Sequence, residues 1–198
     1  MCIEVKRLTE NISYVAGQLE PLSADMGIVD VNGELFIYDV GSLEDNAKYI
    51  NNLDRKVNIV ISHFHEDHMS ALKLIDKDRI NALYVSNVTF RYSHFGTVVN
   101  VGDTISLMDG RIEIRRLPSS HAKGCLAMMV DNEYLFMGDG MYMGTKNGET
   151  AYDTNLLKEE IAFLESVPAT KCVLSHDRKY VRNKAIVLRE LNKWLSVK

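Results

Sequence analysis

The chain of 198 residues reads as an α+β or layered α/β protein, and three observations predict that class. Turn dipeptides of the hairpin type stand between apolar runs. One nearly unbroken β-branched run has the character of a strand covered on both faces. Apolar residues at helical spacing alternate with these strands. At 46% hydrophobic and 25% charged residues, the composition suits a chain that buries a core and excludes a disordered or fibrous one. No run of Pro, Gly or Ser is long enough for a linker, so a single domain over residues 1–198 is expected.

Taken in order, residues 12–16, 27–31 and 34–40 predict strands, the last two joined by Asn32-Gly33, the strongest short hairpin signal. After Asp39-Val40-Gly41, Ser42 ahead of Leu43-Glu44-Asp45 predicts a capped helix start, with Leu43, Ala47 and Ile50 on one face. The run from Val57 to Ser62 predicts a central strand. Met69, Leu72 and Ile75 continue as a helical stripe, and Leu83 to Val85 is a short strand. Residues 104–108 and 111–117 predict a hairpin about Asp109-Gly110, and residues 126–130 and 134–137 flank Asp131-Asn132-Glu133 as another. Residues 141–153, with Gly144, Gly148 and several polar side chains, read as a loop able to act as a flap, its Met141 and Met143 being the members that could join a core. Leu157, Ile161 and Leu164 predict a helix stopped by Pro168, and Val173-Leu174 a final strand. Val187, Leu191, Trp194 and Leu195 predict a docking helix.

Charge and cysteine usage narrow the function. With 23 Lys+Arg against 27 Asp+Glu the net charge is −4, so no global basic field draws nucleic acid or an anionic membrane, and both are disfavoured as partners. The opening MCIEVKRLTENISYV carries charges where a signal peptide needs an apolar core, and no stretch approaches the roughly 18 apolar residues of a spanning helix. A cytoplasmic protein is expected. Cys2, Cys125 and Cys172 are too few and too scattered for a disulfide framework or a metal knuckle, and read as free thiols, Cys172 a buried one.

The chemistry lies in the histidines. Three of the 6 fall in His63-Phe64-His65-Glu66-Asp67-His68, directly after the apolar strand. Side chains alternate along a strand, so His63 and His65 point to one side and can converge on one cation, while Asp67 and His68 can supply a second. Further ligand types stand at the ends of predicted strands: His121 after Ser119-Ser120, Asp139 after Gly138, and His176 after Ser175. His94 has no such context and reads as structural, and Glu66 reads as a surface charge. Lys123, two residues after His121, and Tyr142, three after Asp139, stand where a substrate contact could be made.

This ordered set resembles the metallo-β-lactamase fold superfamily over nearly the whole chain, and Phe36-Ile37-Tyr38-Asp39-Val40-Gly41 resembles that family's strand ending in Asp-x-Gly. The resemblance implies a four-layer αββα sandwich with the site at one edge. It implies that His63, His65 and His121 hold one metal and Asp67, His68 and His176 another, with Asp139 bridging, Asp67 orienting the nucleophile, and Asp39 supporting the histidine loop. The donors are nitrogen and oxygen, which suits Zn²⁺ first and Mn²⁺ or Fe as well. The expected activity is hydrolysis of a small-molecule ester, thioester, lactone or phosphodiester by a hydroxide bound between two divalent metal ions.

The departures from known branches narrow this further. Flavodiiron proteins carry Glu where His65 stands and also a flavodoxin domain. The common secreted zinc β-lactamases carry Cys where Asp139 stands. Glyoxalase II shares the ligand set but has an additional C-terminal helical domain. Two other readings stay open at this stage: an iron oxidoreductase resembling persulfide dioxygenases, with one iron at the His63, His121 and Asp139 positions, and a metal-binding protein without chemistry. Substrate identity and oligomeric state are not encoded in these motifs.

Overall fold

The computed structural model describes residues 3–196, with the backbone alone at Lys146; Cys2 lies outside the described residues. The chain divides after Val99 into two compact units.

The first unit is built on a seven-stranded mixed sheet of order β1-β2-β5-β6-β7-β8-β9. Its strands are β1 (Val5–Arg7), β2 (Ile12–Val15), β5 (Met26–Val31), β6 (Glu34–Tyr38), β7 (Val57–Val60), β8 (Ile80–Ser86) and β9 (Thr97–Val99), while β3 (Gln18–Leu19) and β4 (Leu22–Ser23) form a separate two-residue ladder. β5 and β6 pair antiparallel across the expected Asn32-Gly33 turn, and both residues of that turn have positive φ. β6, β7 and β8 run parallel, so each needs a crossover. α1 (Glu44–Asn51) supplies the first. α2 (Glu66–Met69) and two 3-10 turns supply the second, and α3 (Asn87–Ser93) links β8 to the parallel β9. β7 is buried on both faces, as its β-branched run requires, and Ile37, Ile59, Ile61 and Val85 centre the core with Ala47 and Ile50 from α1.

The second unit is built on a six-stranded sheet of order β10-β11-β12-β13-β16-β17. Its strands are β10 (Thr104–Leu107), β11 (Ile112–Arg116), β12 (Leu126–Val130), β13 (Tyr134–Gly138), β16 (Lys171–Leu174) and β17 (Val181–Asn183). A further hairpin, β14 (Gly144–Lys146) with β15 (Glu149–Ala151), stands apart from the sheet. The crossover from β13 to the parallel β16 is α4 (Thr154–Ser166), whose N-terminus is capped by Asp153 Oδ1 accepting from the N–H groups of Asn155 and Leu156. α5 (Lys184–Ser196) packs on α4, β16 and β17. The architecture is therefore the mixed α/β class expected, with the histidine loop following the parallel strand β7.

Several local expectations are corrected. Ser42 does not cap α1: its hydroxyl donates to Leu22 O, and the N-cap is Leu43, with no side-chain cap. The stripe from Met69 to Ile75 is one α-helical turn followed by a 3-10 turn. The 141–153 segment contains the β14–β15 hairpin, with Met141 buried. In the last helix Val187 and Leu191 are buried as expected, whereas Trp194 remains 46% exposed. Among the described residues, no helix is long and apolar enough to cross a membrane.

Candidate metal centre

In the first unit the histidine loop is held from beneath by one carboxylate. Asp39 is fully buried. Its Oδ1 accepts from Ser62 N at 2.7 Å, and its Oδ2 accepts from Ser62 Oγ at 2.7 Å and from His68 Nδ1 at 2.8 Å. The backbone is wrapped around the same point: Val40 N and Gly41 N both donate to His68 O, Ala71 N donates to Gly41 O, and Ala24 N donates to Asp67 O. This turn requires left-handed φ at Asp39 (57°) and Gly41 (70°). A Cβ on Gly41 would lie 2.5 Å from Asn46 Nδ2 and 2.6 Å from Ser23 Oγ, so only glycine fits there.

These contacts orient the rings. A histidine bonded at one ring nitrogen presents the other as an electron-pair donor. His68 gives Nδ1 to Asp39 and keeps Nε2, which lies 3.4 Å from Asp67 Oδ2. His63 has Nδ1 2.9 Å from Ser62 Oγ and turns Nε2 to within 2.9 Å of His65 Nδ1. Two imidazole nitrogens that face each other at this distance share either one proton or one cation. His63 and His68 are fully buried, where such nitrogens need a partner. Glu66 is exposed, in keeping with a surface charge.

The second unit assembles its donors from three strand ends. His121 has Nδ1 3.3 Å from Met143 O and keeps Nε2 3.4 Å from Asp139 Oδ2. His176 has Nε2 3.9 Å from the same carboxylate oxygen, and it sits at positive φ (59°) in the turn after β16. At 3.9 Å the imidazole and carboxylate are too far apart for a hydrogen bond but suitably placed to share an ion. Ser119 Oγ accepts from His121 N and donates to Gly140 O, which ties the His121 loop to the residue after Asp139.

The remaining candidates fall as follows. Tyr142 donates its hydroxyl to Ser175 O at 2.8 Å and sets its ring against His121, with centroids 6.4 Å apart. Lys123 is exposed in the turn after His121. His94 ends α3 in a left-handed conformation, its backbone N–H donating to Phe90 O, so the structural reading of that residue has a physical basis. Cys125 and Cys172 are buried, and burial pushes both thiols up to about 12, which keeps them protonated and unreactive. Ser62, Ser119 and the Met143 carbonyl escaped the sequence reading. The two serines lie beside the motif histidines, which was their only signal, and a backbone carbonyl has none.

Nitrogen and oxygen donors gathered at the ends of strands are a donor set of the kind that can hold a metal ion. The fold has a more particular identity. No protein-family model and no curated protein matches the sequence. Solved structures do match in fold. The DIM-1 metallo-beta-lactamase aligns at TM-score 0.73 and 17% identity over 98% of this chain and 96% of that one. A metallo beta lactamase from Hirschia baltica aligns at 0.70 and 13% identity over 98% of both chains. A mutant flavo di-iron protein from Thermotoga maritima aligns at 0.67 and 17% identity over 98% of this chain and 62% of that one. The chain thus has the metallo-β-lactamase fold.

Proposed function

We propose that this protein is a metal-dependent hydrolase of a small-molecule ester, thioester, lactone or phosphodiester, with zinc as the first choice of metal. His63, His65 and His121 are assigned to one cation and Asp67, His68 and His176 to a second, with Asp139 shared. The observation that carries the reading is the orientation of the rings. His63, His68 and His121 each have Nδ1 against an oxygen of the protein, which leaves Nε2 as the donor nitrogen. Bound in this way, a pair of divalent cations acidifies water and polarises the oxygen of the scissile group.

The chain's own residues supply the rest. Asp39 and Ser62 hold the loop against the strain of ring rotation, so the donors are set before any ion arrives. Asp67, with its side chain 16% exposed, is more open than the fully buried His63 and His68 and is assigned to orient the attacking water. Tyr142 fixes the turn that carries His176 through its bond to Ser175 O. Lys123 is assigned to an anionic part of the substrate. The proposal keeps a cytoplasmic setting, and nucleic acid has no place in it.

The test is hydrolysis of a thioester, a lactone and a phosphodiester series by protein reconstituted with zinc or manganese. Activity on one series that vanishes with a chelator and returns with metal is the expected result. No turnover on any of the three by metal-loaded protein would contradict the proposal.

A further inference from the structure

His65 differs from the other loop histidines in how its ring is held. His63 and His68 have Nδ1 against Ser62 and Asp39, whereas His65 turns Nδ1 inward to His63 Nε2. That nitrogen is therefore not available for an anchoring bond of the same kind. The ring also meets an aromatic stack. Phe64 lies edge-on to His65, with centroids 4.9 Å apart and planes at 73°, and Tyr92 lies parallel to Phe64 at 5.2 Å and 11°. Phe64 is partly buried against the core of the first unit, and Tyr92 is 53% exposed. An edge-to-face contact backed by a parallel one is the arrangement in which ring quadrupoles attract, and it resists rotation of the middle ring.

Tyr92 is itself carried on a short helix fixed at both ends. At the start of α3 Ser86 Oγ accepts from Thr89 N at 3.1 Å, and at the end the backbone N–H of His94 donates to Phe90 O at 2.9 Å. The stack therefore runs from a capped helix to a metal-donor candidate, and an exposed tyrosine on it is placed by more than solubility.

We propose that Tyr92 is a positioning residue that clamps Phe64 and so sets the plane of His65. The inference rests on the reading of His65 as a metal ligand for its consequence, but not for the clamp itself. Three variants separate the roles. Tyr92→Ala removes the ring, Tyr92→Leu keeps apolar bulk without a stacking face, and Tyr92→Phe keeps the face and removes the hydroxyl. Two quantities are read for each: the imidazole ¹⁵N signals of His65 in protein free of added metal, and zinc affinity by competition with a chromophoric chelator. Thermal unfolding confirms that each variant is folded.

The expected result is a broadened or shifted His65 signal and about tenfold weaker zinc binding in Tyr92→Ala and Tyr92→Leu, with Tyr92→Phe like the parent in both. His65 signals and zinc affinity unchanged in Tyr92→Ala and Tyr92→Leu would overturn the proposal. So would loss of zinc affinity in Tyr92→Phe equal to that in Tyr92→Ala, which would place the effect in the hydroxyl and not in the stacked ring. Failure of the parent protein to bind zinc would overturn the metal reading, while the His65 signals would still decide the clamp.

Discussion

Two fully buried carboxylates invite comparison, Asp39 in the first unit and Glu160 in the second. Asp39 accepts from a backbone N–H, a hydroxyl and an imidazole. Glu160, on the core face of α4 beside Leu157, Ile161 and Leu164, has no hydrogen-bond partner for either oxygen among the described residues, and burial raises its pKa well above the ordinary carboxyl range. The contrast teaches that burial alone does not mark a working carboxylate. A carboxyl group that is to hold a loop is surrounded by donors, and burial without donors pushes the group toward its protonated form.

The largest effect follows from deleting the satisfied carboxylate. Asp39→Ala strands Ser62 N and His68 Nδ1 in the interior, so chemical denaturation should show a loss of about 3 kcal/mol, and zinc affinity should fall at least about tenfold. A loss under about 1 kcal/mol would mean that the loop keeps its shape without this residue.

Asp139→Ala acts on the second unit's donors and should separate the two effects. Metal content should fall sharply while the stability of metal-free protein changes by less than about 1 kcal/mol, because the side chain faces its histidine neighbours and not the core. Retained metal at the parent's level would remove Asp139 from the ligand set.

Glu160→Gln sharpens the comparison through pH. A raised carboxyl pKa means that the folded state holds its proton longer than the unfolded chain does. The contribution of Glu160 to stability is therefore greatest below the unfolded value of about 4.3 and is lost as pH rises toward the folded value, at no more than about 1.4 kcal/mol per pH unit. The glutamine variant has no such slope, so its stability relative to the parent should improve as pH rises above the ordinary carboxyl range. A difference independent of pH would show that Glu160 is ionised in the fold. The smallest effect belongs to His94→Ala. Its cap is made by a backbone N–H, so metal binding should be unchanged and stability should move by no more than about 0.5 kcal/mol.

The same comparison explains what the sequence could show. The first unit's donors sit in one hexapeptide after an apolar strand, and alternation along the chain was enough to place His63 and His65 together. In the second unit His121, Asp139 and His176 are far apart in the chain; their shared place at the ends of predicted strands singled them out, and the resemblance to a known fold assigned them to particular metals. The hairpins were legible because Asn32-Gly33 and Asp109-Gly110 carry their own turn geometry. The three-residue strands β1, β9 and β17 were not legible, since such short runs leave no period to read. α3 was missed because its only fully buried residue is Thr89 and its aromatic residues are exposed. Glu160 was illegible for a simpler reason: a polar residue next to Ile161 in a 3.6-residue period looks solvent-facing.

That these side chains form a metal centre is tested most directly by elemental analysis of protein purified without added metal. The predicted result is about two divalent cations per chain, zinc or manganese, and less than half of that in Asp139→Ala. A chain free of metal that also fails to take up zinc would contradict it, and a single tightly held iron would replace hydrolysis with oxygen chemistry.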